Sequence, residues 1–276
     1  MYPVIVCIAK KEQDYIEEFV IYHLHLGFKH IYIYDNEDIP TYEKLLQAYK
    51  ENITVIHLPF NNYNIGVQYL ALQDFITKHL CNTKITHVAH IDVDEFIVLK
   101  KHTNICEFIK EYIVGDCQGI GMNWRFFGSS GRTEQTNEPL TIRFTMCEKN
   151  GNTHIKTIFK KDKFLRFSTC HNVKLSEGNI KSTSNNILHG PFNENIDFSV
   201  IQLNHYKCKT LPEFRYIRTR QMADIPESKQ EKENVEQNFH LFDRNEIEEP
   251  TACNYYTNII AGKSQSNNQL DNKILT

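Results

Sequence analysis

The chain has 276 residues, a formal net charge of −3, and hydrophobic and charged fractions of 41% and 24%. These values describe an ordinary globular protein, long enough for one large domain or two small ones. Lysine and arginine are spread along the chain rather than grouped. Because duplex nucleic acid requires a basic patch or stripe, we expect no nucleic-acid partner.

The eight cysteines lie far apart and form no CxxC pair, which predicts reduced thiols. No basic leader precedes the first apolar run, and nowhere do about 18 apolar residues follow one another. We therefore expect a soluble cytoplasmic protein without a signal peptide or membrane segment. The patterning predicts one domain at 1–261, with halves at 1–116 and 117–261, and a polar, disordered tail at 262–276.

The first hundred residues alternate between short apolar strands and amphipathic helices. Strands are predicted at 4–9, 30–34, 53–58 and 86–91, and helices at 16–24, 44–49 and 67–80. A strand-helix alternation of this kind predicts a Rossmann-like α/β fold, in which helices cover both faces of a mostly parallel sheet.

After about residue 117 the pattern changes to strand-like pieces separated by polar loops. The pieces at 119–124, 140–146, 155–159 and 198–203 are predicted strands, and 211–222 is a predicted helix. We interpret this part as an antiparallel and helical half that carries the second substrate.

The fourth strand leads directly into an Asp-x-Asp motif, Asp92-Val93-Asp94, which Glu95 follows. Three carboxylates within four residues repel one another unless a cation or ligand hydrogen bonds hold them. In open α/β sheets, ligands bind outside the carboxyl ends of the strands. The sequence therefore predicts a metal-dependent site for a phosphate-bearing ligand at this end of the sheet.

Several further marks follow one another along the chain. They are Lys11-Glu12, Tyr34-Asp35-Asn36, Gln68, the Asp-x-Asp motif, Trp124 with Phe127-Gly128-Ser129, His154-x-Lys156, and His205-Tyr206. With this ordered set the chain resembles a GT-A glycosyltransferase, and more narrowly the family 92 and family 2-like (DUF23-like) group, over roughly residues 4 to 224. The Lys and Arg-Gly usual in the family appear here as Arg218 and Arg220-Gln221. We expect the family's usual N-terminal membrane anchor to be missing.

The resemblance implies a hexosyltransferase-class enzyme that moves a sugar from a nucleotide sugar, with a UDP-sugar favoured, to a glycan or protein acceptor with inversion. It implies that Asp94 binds Mn²⁺ or Mg²⁺ directly. His205 would complete the metal site from the second half, with His171 as the competing ligand. Asp92 would contact hydroxyls of the donor and add to the metal site, and Glu95 would buttress the loop.

Donor and acceptor residues are expected on both halves. The expected donor-binding residues are Lys10, Glu12, Asp35, Asn36, Gln68, Asp92 and Lys156. The expected acceptor-binding residues are Trp124, Phe127, Gly128 and Ser129. Each has a structural alternative: Asp35-Asn36 is also typical of a turn, Gln68 of an exposed helix face, and Trp124 of the core.

An inverting transfer needs a side-chain base that takes the proton of the acceptor hydroxyl. The candidates in the second half are His171 and Asp224, followed by Glu177 and Asp197. Two other functions stay open. One is a catalytically silent carbohydrate-binding module of the same fold. The other is a HAD-type phosphohydrolase, which places its Asp-x-Asp on the first strand rather than the fourth.

Overall fold

The computed structural model describes residues 1–59, 65–220, 223 and 234–274, and for 263–274 the backbone alone. The strands are β1 (Pro3–Ala9), β2 (His30–Asp35), β3 (Ile53–His57), β4 (His87–His90), β5 (Glu95–Leu99), β6 (Cys117–Phe126), β7 (Met146–Cys147), β8 (Ile155–Lys160), β9 (Phe164–Phe167), β10 (Val173–Leu175), β11 (Asn179–Lys181), β12 (Ile201–His205) and β13 (Ile247–Glu248). The helices are α1 (Ile16–His25), α2 (Tyr42–Leu45), α3 (Val67–Lys78), α4 (Ile105–Tyr112), α5 (Leu140–Arg143), α6 (Leu211–Arg218), α7 (Val235–Phe242) and α8 (Thr251–Ile274). Short 3-10 turns lie at Gln47–Tyr49 and Lys161–Lys163.

A nine-stranded sheet runs in the order β3-β2-β1-β4-β8-β6-β12-β5, and β11 also pairs with β6. The first four strands in this order are all parallel, which confirms the α/β fold class. In the second half, β8 is antiparallel to β4 and β6, whereas β12 is parallel to β6 and antiparallel to β5. The sequence predicts an antiparallel second half, but the observed pairing is mixed. Strand β6 pairs antiparallel with β8 and parallel with β12.

Alternate residues of β1 belong to two separate cores. Ile5 and Cys7 pack in the larger core with α1, whereas Val4 and Val6 pack in the smaller core with α3. Successive side chains of a strand point to opposite faces, so a fully apolar strand needs a helix on each side. The prediction of helices on both faces is confirmed.

The loop that carries the Asp-x-Asp motif links two distant positions in the sheet. β4 ends beside β1, but β5 lies at the far edge, where it pairs with β12 so that Glu95 faces His205. The backbone N–H of Tyr206 donates to the carbonyl oxygen of Asp94 at 2.9 Å. Strand pairing thus brings the two halves of the chain together at the acidic loop.

The segment 140–146, predicted as a strand, is instead the short helix α5 followed by β7. The carboxylate of Glu18 accepts the backbone N–H of Thr141 at 3.0 Å and of Leu140 at 2.5 Å, and the Thr141 hydroxyl at 2.6 Å. A buried acceptor satisfies the free N–H groups at a helix N-terminus. The apolar pattern of the segment contains no sign of this distant partner.

Helix α8 extends past residue 261, which the sequence predicted as the end of the folded domain. No proline follows Pro250, so no residue without a backbone N–H interrupts the helix. Among the described residues, no helix combines the length and the apolar character needed to cross a membrane. The cytoplasmic location and the division into halves stay predictions.

We expect Glu18→Ala to lower the free energy of unfolding by about 3 kcal/mol, because it leaves three buried donors without an acceptor. The neighbouring Glu17 is exposed and accepts only the Tyr49 hydroxyl, so Glu17→Ala should cost less than about 0.5 kcal/mol. Urea unfolding of both variants measures the difference. Equal losses would contradict the proposed role of Glu18.

Candidate functional site

A cavity of about 210 Å³ opens at the carboxyl ends of β1, β2 and β4. Ten residues singled out in the sequence line it: Lys10, Glu12, Asn36, Gln68, Asp92, Asp94, Trp124, Lys156, His171 and His205. The remaining lining residues are Ile8, Val93, Cys170, Lys207, Ile217, Arg218, Arg220 and Ala223. Side chains from both halves of the chain therefore share one cavity.

The carboxylate of Asp92 is held by two neighbours. Its Oδ2 lies 3.0 Å from the Nζ of Lys156, and its Oδ1 accepts from the Nε2 of Gln68 at 3.1 Å. Its backbone N–H donates to Glu95 Oε2 at 2.9 Å, a contact that buttresses the loop. Lys156 and Glu95 are both fully buried, and their charged atoms are 3.9 Å apart.

Burial and the positive charge of Lys156 have opposite effects on the pKa values of Asp92 and Glu95. Burial alone would raise the pKa of Asp92, but the ammonium of Lys156 lowers it below its usual range. Burial raises the pKa of Glu95 well above its usual value, although Lys156 opposes the shift. The one buried ammonium thus faces two carboxylates, of which Asp92 is the ionised partner.

Asp94 and His205 form a second pair, with Oδ1 and Nε2 separated by 3.6 Å. Burial would raise the pKa of Asp94, but Lys209, whose Nζ lies 3.6 Å from Oδ2, lowers it. Burial lowers the pKa of His205 to about 3, so its imidazole is neutral near pH 7. Its Nδ1 is buried without a partner among the described residues.

This pair is chemically suited to a divalent ion, because an ionised carboxylate and a neutral imidazole are ligands that Mn²⁺ accepts. Within the described residues, however, no group of three or more His, Cys, Asp or Glu side chains is arranged to hold a metal. Asp92 is expected as a third ligand, but its oxygens are engaged by Lys156 and Gln68. The described residues therefore offer a metal ion one pair of ligands, Asp94 and His205.

The cavity lining is more basic than the chain as a whole. Five of its residues are lysine or arginine and three are aspartate or glutamate, so the lining carries a net charge of +2, whereas the whole chain carries −3. A cavity that concentrates positive charge in this way favours an anionic ligand.

Of the Asp35-Asn36 pair, only Asn36 lines the cavity. Both oxygens of the Asp35 carboxylate accept backbone N–H groups, from Glu37 at 3.0 Å and from Thr41 and Tyr42 at 2.7 Å and 3.1 Å. Such bonds close a turn, which was the structural alternative. The expected contact of Asp35 with the donor stays a prediction.

Trp124 lies between the cavity and a group of histidines. Its ring stacks on His154 with centroids 5.1 Å apart and contacts His171 and His205 at 5.1 Å and 4.5 Å. Its Nε1 is buried without a hydrogen-bond partner in the described part of the chain. Trp124 thus lines the cavity with part of its aromatic surface, while its Nε1 is enclosed.

The other expected acceptor residues lie away from the cavity. Phe127 is buried against Tyr206, and the Ser129 N–H donates to Asp243 Oδ1 at 2.7 Å. At Gly128 a Cβ atom would lie 2.5 Å from the carbonyl oxygen of Arg244. Close packing against the segment after α7 explains this glycine.

Among the described base candidates, only His171 lines the cavity. Glu177 forms an exposed ion pair with Lys163, and Asp197 accepts the backbone N–H of Ser199 at 2.9 Å. Asp224 lies outside the described residues. The Nδ1 of His171 is 3.1 Å from the carbonyl oxygen of Ile155; since a carbonyl only accepts, Nδ1 carries the hydrogen and Nε2 keeps a lone pair.

Among the cationic residues at the site, the sequence analysis assigned no function to Lys209 or Arg220. Lys209 is fully buried, with backbone φ of 57°, and no local sequence signal predicts this placement. Arg220 stands out only as one of the family departures, and its Nη1 donates to Glu12 Oε1 at 2.5 Å and to the carbonyl oxygen of Lys10 at 2.6 Å.

The fold and the cavity together define the class of protein. It is an α/β protein with an acidic loop and a cation-rich cavity at the carboxyl ends of parallel strands, the place at which open α/β sheets bind their ligands.

The chain belongs to glycosyltransferase family 92, because the model of that family matches residues 2–250. It is 25% identical over 238 residues to a family 92 protein of Oryza sativa subsp. japonica, covering 83% of this chain and 37% of that one. A family 92 protein of Arabidopsis thaliana is also 25% identical, with 81% and 38% covered. The chain thus spans less than two fifths of the length of these relatives. The family resemblance seen in the sequence is confirmed.

Two solved structures are partly similar. TarS residues 1–349 of S. aureus has a TM-score of 0.37 and 15% identity, covering 58% of this chain and 47% of that one. HddC of Yersinia pseudotuberculosis has a TM-score of 0.33 and 12% identity, covering 59% and 78%.

We expect Lys156→Met to lower the free energy of unfolding by about 3 kcal/mol, because the ionised Asp92 loses its buried counter-charge. Adding Glu95→Gln should recover part of the loss, since an amide in this place cannot ionise beside Asp92. Lys160 on the same strand is half-exposed, so Lys160→Met is the matched control and should change stability by less than about 0.5 kcal/mol. Urea unfolding compares the four proteins. A double variant less stable than Lys156→Met would contradict this account of the charges.

Proposed function

We propose that this chain transfers a glycosyl group from a nucleotide-sugar donor to a hydroxyl group of a glycan or glycoprotein acceptor, with the help of a divalent ion. The observation that carries the proposal is the cavity itself, which combines the Asp94–His205 pair with a net positive lining. A nucleotide sugar carries a diphosphate that needs cations and a nucleoside that needs a polar pocket. Both kinds of groups meet here on a family 92 fold.

Asn36 is the proposed contact to the base of the donor. Its side-chain amide donates to the carbonyl oxygen of Leu58 at 2.8 Å, and within the described part of the chain its Oδ1 accepts no hydrogen bond. An acceptor fixed at this end of β2 suits the imide N–H of uracil, which supports a UDP-sugar as donor. Lys10, at the end of β1, and Gln68 complete this side of the cavity.

Asp94 and His205 would hold Mn²⁺ or Mg²⁺. When bound, the ion neutralises charge that develops on the leaving nucleoside diphosphate. A two-residue protein pair is sufficient for such an ion because substrate phosphates and water commonly supply its remaining ligands. Lys156 keeps Asp92 ionised and in place beside this pair.

His171 is the proposed base, and Trp124 is the proposed acceptor platform. The acceptor hydroxyl gives its proton to Nε2 of His171 as its oxygen attacks the anomeric carbon from the face opposite the leaving group, which inverts the configuration. The face of a sugar packs on an aromatic ring, and Trp124 lines the cavity beside His171. The acceptor therefore lies between these two side chains.

One observation favours a second candidate, a catalytically silent carbohydrate-binding module of this fold. The described residues contribute a metal pair rather than a three-residue set, as in a fold that retains its ligand cavity but no longer turns over. A HAD-type phosphohydrolase has no such support, because its motif follows the first strand and this one follows β4.

Calorimetric titration with a panel of nucleotides and nucleotide sugars, with and without Mn²⁺, tests the donor proposal. We expect a uridine diphosphate ligand to bind at least tenfold more tightly with Mn²⁺, and Asp94→Ala to abolish that difference. Asp162 is exposed on the surface, so Asp162→Ala should behave as the wild type. If no nucleotide binds under either condition, the transferase proposal fails.

The pH profile of transfer tests the base. Burial and the nearby Lys156 lower the pKa of His171 to about 4, so the neutral form that accepts a proton persists down to that pH. We expect kcat/KM to stay level as the pH falls from 7 to about 5, and His171→Gln to lower kcat at least a hundredfold with little change in the KM of the donor. A half-maximal point near pH 6.5, or an unchanged kcat in His171→Gln, would assign the base to another group.

A further inference from the structure

Side-chain contacts join the last turn of α6 and the residues after it to the loop after β1. Besides the two bonds from Arg220, the Nζ of Lys11 donates to the Thr219 hydroxyl and lies 4.9 Å from the centre of the Tyr216 ring. Lys11 itself has a backbone φ of 58°, a conformation that turns its side chain toward this segment at some cost in backbone energy. These contacts join two segments that are distant in the sequence, and no sequence pattern predicts them.

Within this contact, Arg220 and Glu12 have unequal surroundings. The side chain of Glu12 is 2% exposed, whereas that of Arg220 is 28% exposed. Among the described residues, both hydrogen bonds of Arg220 use Nη1, and Arg220 lines the cavity, so Nε and Nη2 are left as donors for a ligand. Glu12, in contrast, is enclosed, and its second oxygen has no partner among the described residues.

We propose that Arg220 binds the diphosphate of the donor and that Glu12 is its positioning residue rather than a contact to the donor. An arginine with one nitrogen tied down loses little further freedom when it binds a phosphate, and its planar fork matches the oxygens of that group. The carboxylate of Glu12 accepts the hydrogen bond that holds Nη1, and it is the buried counter-charge of the guanidinium. This inference rests on the proposed nucleotide-sugar donor, and it assigns a donor contact to the second half of the chain.

A simpler explanation is that the pair only joins the two segments. Separate binding of a nucleoside and its diphosphate distinguishes the two, because a general loss of structure weakens both ligands, whereas the loss of a phosphate contact weakens only the diphosphate. Direct contact between Glu12 and the ribose, the expectation from the sequence, would weaken the nucleoside as well.

The experiment is calorimetric titration of uridine and UDP, with Mn²⁺, into the wild type, Arg220→Ala, Arg220→Lys, Glu12→Gln and the double variant Glu12→Gln/Arg220→Ala. We expect Arg220→Ala to weaken UDP about ten- to hundredfold and uridine less than threefold. Arg220→Lys keeps the charge but not the fork, so its loss should be smaller. Glu12→Gln should weaken UDP alone, and it should have no further effect once Arg220 is absent.

The matched control is the pair Arg215–Glu236, in which an exposed arginine of α6 bonds a glutamate of α7 at 2.7 Å. Arg215→Ala and Glu236→Gln should leave both affinities unchanged. Thermal unfolding of each variant checks its folding, and Arg220→Lys carries the test if Arg220→Ala does not fold.

Equal weakening of uridine and UDP in Arg220→Ala, or an unchanged UDP affinity, would overturn the role of Arg220. A loss of uridine binding in Glu12→Gln, or an added loss in the double variant, would make Glu12 a direct contact. If the wild type binds no nucleoside diphosphate, the proposed function fails and this inference with it, whereas normal wild-type binding with an unaltered Arg220→Ala leaves the proposed function standing.

Discussion

The buried ammonium of Lys156 is the charge on which the acidic loop depends. It lies 3.0 Å from Asp92, which lines the cavity, and 3.9 Å from Glu95, a carboxyl group that is fully buried. Without a cation, such a group must either take up a proton or move into solvent. The ion cluster therefore fixes the loop between β4 and β5 in the folded protein itself, before any ligand binds, and leaves Asp94 as the carboxylate available to a metal.

The remaining parts of the site depend on how β5 is paired. Because β5 runs antiparallel to β12 with Glu95 opposite His205, one strand from each half of the chain meets the other at this point of the sheet. His205, Lys209 and Arg220 all follow from that pairing, since they lie on or shortly after β12. A cavity formed in this way has one wall from the parallel half and one from the mixed half, which suits a reaction that must hold two substrates side by side.

Local patterns were sufficient for the parts of the fold in which burial alone decides the structure. The apolar runs that became β1 to β4 and the helical spacing of α1 and α3 predicted those elements nearly to the residue, because each depends on which face is buried. The region around α5 could not be predicted, since its helical start depends on a carboxylate of α1 that is distant in sequence. Likewise, Asp35 is a suitable residue for a ligand, yet its carboxylate already accepts neighbouring backbone N–H groups. Ser129 lies away from the cavity, where its backbone N–H donates to the Asp243 carboxylate.

By itself, the sequence determined that this is an α/β protein of glycosyltransferase family 92 with a carboxylate pair at the end of its fourth strand. Those features are written in residue order and hydrophobic period, which act over a few turns or strands. Only the tertiary structure decided which of the singled-out side chains share the cavity, that Asp92 is paired with Lys156, and that Arg220 and Lys209 join the site. Such contacts depend on strand order and on burial between distant segments, and neither is encoded in any local pattern.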